Sequence, residues 1–181
     1  MDNMINSLSA VLFDEVAIRT RIKDIGYELS RVYAGKNPVL ICILKGSIVF
    51  MSDLIRYMTI PIEIDFMSIA SYGSSNVSSG VVKIRKDIEI DITDRDVIIV
   101  EDIIDTGLSL IYIKEYLQNR KAKSVATCVL INKKIAREVQ VQVDYFGFEV
   151  ENEFIVGFGL DYAEKYRNLP YIGILKKEVY S

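Results

Sequence analysis

DVIIVEDIIDTGLS, residues Asp96–Ser109, decides how this 181-residue chain is read. Val97, Ile98, Ile99 and Val100 form a β-branched run, too short for a helix and apolar on both faces, as in a central strand of a parallel sheet. Two adjacent acids follow, Glu101 and Asp102, then two isoleucines, then Asp105-Thr106-Gly107-Leu108-Ser109. Beyond the loop, Leu110, Ile111, Ile113 and Leu117 alternate with Lys114, Glu115 and Gln118, the pattern of an amphipathic helix. A strand, a tight glycine-containing loop and a helix start together make an anion cradle. Free backbone N–H groups and the positive end of the helix dipole face the loop, and Thr106 and Ser109 add hydroxyl donors. Three carboxylates beside a phosphate would repel it unless they face hydroxyls, a proton to be removed or a divalent cation. A sugar phosphate supplies the hydroxyls, and Mg²⁺ held through substrate oxygens supplies the charge. The expectation is a ribose phosphate at the C-terminal edge of a parallel sheet, where open α/β folds bind ligands. Taken singly, each acid would read as a solubilising loop residue, and Asp105 as a helix cap. Their combination directly after a buried strand favours a site.

Composition narrows the chemistry. Half the residues are hydrophobic and 26% charged, and the length suits one α/β domain, 1–181, with a proper core. The formal charge of −3 offers no global basic field, so nucleic acid is not expected as a partner. Histidine is absent, which removes Ser-His-Asp and Cys-His nucleophile pairs and histidine-ligated zinc. Acid–base work falls to carboxylates, lysines or tyrosines. Gly35-Lys36-Asn37 has neither the spacing nor the hydroxyl of a phosphate-binding P-loop, and Gly157-Phe158-Gly159 lacks the third glycine of a dinucleotide fingerprint. Cys42 and Cys128 lie in apolar runs and read as buried reduced thiols. The N-terminus has no signal-peptide pattern, and Lys45 interrupts the longest apolar candidate, so a soluble cytoplasmic protein without a membrane partner is expected.

Ile18, Ile22, Ile25, Leu29 and Val32 recur at helical spacing between Asp14 and Gly35 and predict a capped first helix. Pro38–Leu44 reads as a buried strand ending in Lys45-Gly46-Ser47, a second strand–glycine–helix junction, with Ile48, Phe50, Met51, Leu54 and Ile55 as the following helix's core. Pro61–Ala70 and Val81–Arg85 read as strands around the Ser/Gly-rich stretch Ser71–Gly80; a loop of this length inside a compact domain is functional or disordered. Ser124–Ile131, Asp144–Phe148, Phe154–Phe158 and Tyr171–Leu175 are further predicted strands. Alternating strands and helices over the first two-thirds argue for a central, mainly parallel sheet with helices on both faces. The strand-rich last third, with the N-terminal segment, suits a small accessory hood.

Val-Glu-Asp-Ile-Ile-Asp-Thr-Gly at 100–107 resembles the phosphoribosyl pyrophosphate signature of the type I phosphoribosyltransferases, in the version found in hypoxanthine-guanine phosphoribosyltransferases. The resemblance extends from Leu44 to Tyr171 with the motifs in family order. It implies the type I phosphoribosyltransferase fold, and purine salvage by Mg²⁺-dependent transfer of a 5-phosphoribosyl group from phosphoribosyl pyrophosphate to hypoxanthine or guanine, giving IMP or GMP. On that resemblance Glu101 and Asp102 bind the ribose hydroxyls, and Ile104, Asp105, Thr106, Gly107, Leu108 and Ser109 belong to the loop around the 5′-phosphate. Asp105 also lies near N7 of the purine. A carboxylate at a helix start is held as the anion, which suits stabilising an oxocarbenium-like carbon better than taking a proton; both roles stay open. Leu44, Lys45 and Gly46 match the loop that meets the pyrophosphate, and Arg167 a further pyrophosphate contact suited to bidentate pairing. Ser71 and Tyr72 begin the segment that resembles the family's mobile lid, which would exclude water from the reacting carbon. Lys133 would donate to O6 of the base, Phe154 would stack on it, and Ile155 would offer backbone contacts. Asp161 matches the position that holds Mg²⁺ through water, so Glu101, Asp102 and Asp161 are the metal-side acids.

The sequence departs from the family in three places. Asn132-Lys133-Lys134 stands where many relatives have Asp-Lys-Pro, which leaves two lysines as O6 donors and loosens the loop. Leu108 replaces a basic residue seen in some relatives, and Ser109 a common threonine. A nucleotide-sensing regulator on the same fold would carry a basic stripe or an appended DNA-binding helix pair, and this chain shows neither a spare domain nor a net positive charge. Xanthine use depends on contacts at the purine 2-position and stays open; adenine is disfavoured by Lys133. The apolar tyrosines and methionines suit a homo-oligomer, dimer or tetramer.

Overall fold

The apolar run at residues 97–100 is the middle of a nine-residue strand, not the whole of it. The computed structural model describes residues 2–71, 82–133, 139 and 141–181. Its elements in order are α1 (Asp2–Ile5), β1 (Leu8–Phe13), α2 (Glu15–Val32), β2 (Val39–Leu44), α3 (Ser47–Tyr57), β3 (Glu63–Ser71) and β4 (Val82–Lys86). There follow β5 (Asp96–Ile104), α4 (Leu108–Asn119), β6 (Ser124–Asn132), β7 (Tyr145–Glu149), β8 (Ile155–Val156), β9 (Ile172–Leu175) and α5 (Lys177–Tyr180).

A six-stranded sheet runs β4-β3-β2-β5-β6-β7. Its neighbours are parallel except β3 and β4, so the sheet is mainly parallel, as expected. Strand alternation sorts its side chains onto two faces. Leu40, Cys42, Ile98, Val100 and Leu130 pack with Ile18, Ile22, Ile25, Leu29, Phe50 and Leu54 of α2 and α3. On the other face Val39, Ile41, Val97, Ile99 and Val129 pack with Leu110, Ile113 and Leu117 of α4. Each such side chain taken wholly out of water contributes about 1.5–3 kcal/mol, which is why the pattern 18-22-25-29 fixes where α2 lies. Asp14 caps that helix by accepting from Ala17 N at 2.8 Å. Among the described residues, no helix is long and apolar enough to cross a membrane.

A second sheet, β1-β9-β8, is antiparallel and makes the hood, over a small core of Leu8, Val156, Tyr166, Leu169 and Leu175. Several expectations need correction. Val32 is exposed and Tyr33 buried instead, because α2 ends there and the chain turns inward at the four-residue step after Leu29. Ile48 is exposed, and Ile55 only lines the margin of the core. The Phe154–Phe158 strand shrinks to Ile155–Val156, because Gly157, Phe158 and Gly159 all take positive φ. The remaining predicted strands move by one or two residues at their ends, and α1, β1 and α5 are additions.

Candidate active site

Three parallel strands, β2, β5 and β6, end side by side, and the chain leaving each one supplies part of a cleft of about 430 Å³. The first correction concerns β5. Its pairing with β6 continues through Glu101↔Val129, Ile103↔Ile131 and Ile104↔Asn132, so the acid pair lies in the strand rather than in the loop after it. Acids are poor strand formers, but a neighbouring strand of equal length overrides the preference. The pleat then turns adjacent acids to opposite sides. Glu101 faces the α4 side and borders the loop hollow, whereas Asp102 lies against Gly46 at the start of α3.

Their electrostatics follow from that placement. Glu101 reaches the cleft, but its Oε2 is buried and, among the described residues, has no hydrogen-bond partner. Burial, with the Asp102 charge beside it, raises its pKa well above the usual carboxylate range. Burial likewise raises Asp102, to about 6, against the opposing pull of the Ile103 and Asp102 backbone N–H groups and of Arg167. Ile103 N donates to Asp102 Oδ1 at 2.9 Å.

After Ile104, which is buried, the chain turns through Asp105 and Thr106 to Gly107 at φ +88, a left-handed conformation that favours glycine. Gly107 is the N-cap of α4, and no side chain caps the helix there. A hollow of about 140 Å³ sits over this helix start, bordered by Glu101, Asp105, Thr106, Gly107 and Ser109. Ser109 therefore belongs to the first turn of α4, which begins at Leu108 rather than Leu110. Leu108 borders neither space.

Leu44, Lys45 and Gly46 form the second wall, with a cis Leu44–Lys45 peptide. A Cβ on Gly46 would overlap the Asp102 carboxylate, and one on Gly159 would overlap the Gly46 carbonyl. Only two glycines let this loop, β5 and the hood approach so closely. Lys45 Nζ lies 3.0 Å from Glu164 Oε1, in the hood. Arg167 donates through Nη1 to Gly159 O at 2.8 Å, and its Nη2 lies 2.9 Å from Asp161 Oδ1 and 3.3 Å from Glu164 Oε2. Among the described residues its buried Nε has no partner.

The third wall carries the remaining predicted residues. Lys133 is buried at the end of β6; its N–H donates to Ile104 O at 3.1 Å, and its Nζ lies 3.8 Å from Asp105 Oδ1. Phe154, 36% exposed, and the buried Ile155 border the same cleft. Glu153, Leu160 and Glu164 were not anticipated: the first two line the cleft, Glu164 meets Lys45 from far along the chain, and none carries a local sequence signal. Ser71 closes β3. Tyr72, the rest of the proposed lid to Gly80, and Lys134 lie outside the described residues. Among the described residues, no three acids or thiols cluster so as to hold a metal ion. Asp161 is tied to Arg167 and to Glu164 N, which donates at 2.9 Å. The unpartnered Glu101 oxygen still retains acceptor capacity that suits a hydrated divalent cation.

Fold and site define an open α/β protein whose cleft, at the C-terminal edge of a parallel sheet, is of the kind that holds phosphorylated ligands. The chain belongs to the phosphoribosyl transferase family, whose domain model matches residues 11–163. It is 51% identical over 174 residues to the hypoxanthine-guanine phosphoribosyltransferase of Streptococcus thermophilus, covering 96% of this chain and 97% of that one. Among solved structures it is similar to a hypoxanthine phosphoribosyltransferase from Staphylococcus aureus, with TM-score 0.96, 46% identity, and 98% and 97% of the two chains covered. A hypoxanthine-guanine phosphoribosyltransferase from Bacillus anthracis matches with TM-score 0.90, 41% identity and 93% and 99% coverage.

Proposed function

We propose that this protein serves purine salvage, transferring the 5-phosphoribosyl group of phosphoribosyl pyrophosphate to a ring nitrogen of hypoxanthine or guanine. The products are IMP or GMP and pyrophosphate. One observation carries the reading: a half-buried acid pair with one buried, unpartnered oxygen lies between an uncapped helix start and a Lys45–Arg167 wall. The pair suits two ribose hydroxyls, because carboxyl oxygens accept from hydroxyl donors. The loop from Ile104 through Ser109 suits the 5′-phosphate, offering backbone N–H groups, the Thr106 and Ser109 hydroxyls and the dipole of α4.

As the bond from the anomeric carbon to pyrophosphate lengthens, positive charge grows on the sugar and negative charge on the leaving group. Asp105, at the edge of both spaces, suits the first charge or the proton at N7. Lys45, Gly46 and Arg167 suit the second. A bound Mg²⁺ would add charge neutralisation on the donor's oxygens, with Glu101, Asp102 and Asp161 on its side of the cleft. Lys133 is nearly dry and can donate to O6 of a 6-oxopurine, a bond that the 6-amino group of adenine cannot accept. Phe154 offers an exposed ring for stacking, and Ile155 its backbone. Free, buried Cys42 and Cys128 support a cytoplasmic location. Exposed Val11, Leu12 and Val16 support assembly into a dimer or tetramer, which sedimentation would test.

The deciding experiment is pyrophosphate release from the donor with Mg²⁺ and each of hypoxanthine, guanine, xanthine and adenine. Turnover is expected with the first two. Silence with every base overturns the proposal, and efficient use of adenine overturns the role of Lys133.

A further inference from the structure

Phe154 stands on an irregular segment before the two-residue strand β8, and its carbonyl is held by Leu175 N at 2.8 Å. Its backbone is fixed, yet a ring on such a segment, 36% exposed, would be free to change rotamer unless something packed against it. Two tyrosines do so. Tyr180 stacks on it with centroids 4.6 Å apart and planes at 22°, and Tyr162 meets it edge-on at 5.6 Å and 87°. The tyrosines also touch each other edge-on at 6.5 Å and 66°. Neither borders the cleft, whereas Phe154 does. Tyr180 therefore stacks on Phe154 from outside the cleft that Phe154 itself borders.

We infer that Tyr180, in the last turn of the chain, is a positioning residue for the acceptor base: its ring holds Phe154 in place to receive the purine. The inference rests on the reading of Phe154 as the stacking platform. Tyr180 is itself anchored. Lys176 N donates to Ser7 O at 2.9 Å and Lys176 Nζ to Asn6 O at 2.7 Å, which ties the start of α5 to the N-terminal segment. Val179 and Tyr180 then pack on the hood core with Met4 and Tyr171. An aromatic pair of this geometry shifts a rotamer equilibrium about 3- to 10-fold, and apparent affinity falls by the fraction of time the competent rotamer is lost.

The test compares full-length Tyr180→Ala, Tyr180→Phe and Phe154→Ala in steady-state kinetics with hypoxanthine and the phosphoribosyl donor. Tyr180→Ala should raise the KM for hypoxanthine about 3- to 10-fold, with kcat and the donor KM within about twofold of the parent. Tyr180→Phe should behave as the parent, because the ring stacks and the hydroxyl does not. In a Phe154→Ala background, Tyr180→Ala should add nothing. If Tyr180→Ala lowers thermal stability, Tyr180→Leu, which keeps apolar cover without a flat ring, should show the same selective rise. An unchanged base KM, an equal rise in both KM values, or failure of Tyr180→Phe to restore the parent overturns the inference. If Phe154→Ala itself leaves the base KM unchanged, the platform reading fails first; if only Tyr180→Ala is silent, the inference alone fails.

Discussion

Two acids on one face of the central sheet, Asp65 buried and Glu101 half-buried with a buried Oε2, have opposite circumstances. Asp65 on β3 pairs in register with Ile41, and Ile41 with Ile99, so Asp65 and Glu101 share a face, two rows apart. Asp65 accepts from three backbone N–H groups, Phe66 at 2.7 Å, Glu89 at 2.6 Å and Ile90 at 2.9 Å, with Lys86 Nζ at 3.9 Å. Burial pushes its pKa up, but the donors and Lys86 more than reverse this, and the net shift is downward. Glu101 has a bare Oε2 and a shift well upward. Depth in the sheet therefore does not separate these two acids; hydrogen-bond satisfaction does. Asp65 stitches the chain after β4 to the sheet, and Glu101 retains acceptor capacity for a ligand.

The largest expected effect follows from removing the satisfied acid. Asp65→Ala strands three N–H groups and should cost about 3 kcal/mol of stability. In a chain of this size that lowers Tm by about 6–12 °C, while kcat and KM of the folded enzyme stay within about threefold. A variant as stable as the parent in calorimetry would erase the distinction from one side. Glu101→Gln should reverse the pattern: kcat/KM falls about 10- to 100-fold, the worth of a charge-assisted hydrogen bond, with no loss of Tm at neutral pH. Undiminished activity would erase it from the other side.

Titration without substrates gives a smaller test, because the two kinds of acid oppose each other in sign. A depressed carboxyl such as Asp65 contributes stability above its unfolded value, near 3.8, that is lost as pH falls through its still lower folded value. Asp102 is raised to about 6, so its contribution is complete below its unfolded value and is lost as pH rises through about 6. Glu101 acts in the same direction. The ligand-free protein should melt about 3–5 °C higher at pH 5 than at pH 7.5. Combining Glu101→Gln with Asp102→Asn should flatten that slope, and an unchanged slope would show that other groups set it.

How much of this was legible in the sequence depends on the range over which each feature is specified. The 96–109 stretch gave strand, turn and helix in a row, because four β-branched residues, one left-handed glycine and a 3.6-residue repeat are all local signals. The acid pair read as loop because Glu and Asp disfavour strands, and a pairing that reaches Ile104↔Asn132 overrode them. The hood joins residues 8–13 to 172–175, a pairing that no window of sequence contains. Gly46 and Gly159 give the same lesson at the site: their need for glycine comes from each other and from Asp102, not from their neighbours in the chain. Asp65 looked like any strand acid, since two of its three donors, Glu89 N and Ile90 N, lie 24 and 25 residues away.

Glu164, an exposed acid, sharpens the comparison from a third direction. Its carboxylate lies 3.0 Å from Lys45 Nζ and 3.3 Å from Arg167 Nη2, and so bridges the two cations assigned here to pyrophosphate. The hydrogen bond from Lys45, then that from Arg167, lowers its pKa, so it remains anionic across the neutral range. On the role proposed for Lys45 and Arg167, an incoming pyrophosphate would exchange its own oxygens for this carboxylate at both partners. Exposed ion pairs are weak and screened by salt, so the competition should be slight. Glu164→Gln should lower the KM for the phosphoribosyl donor about two- to threefold with kcat unchanged, and the difference should shrink in 0.5 M salt. If the donor KM rises instead, the carboxylate is aligning Lys45 and Arg167 rather than competing for them. Glu164 would then belong with Asp65, as an acid whose work is done inside the protein.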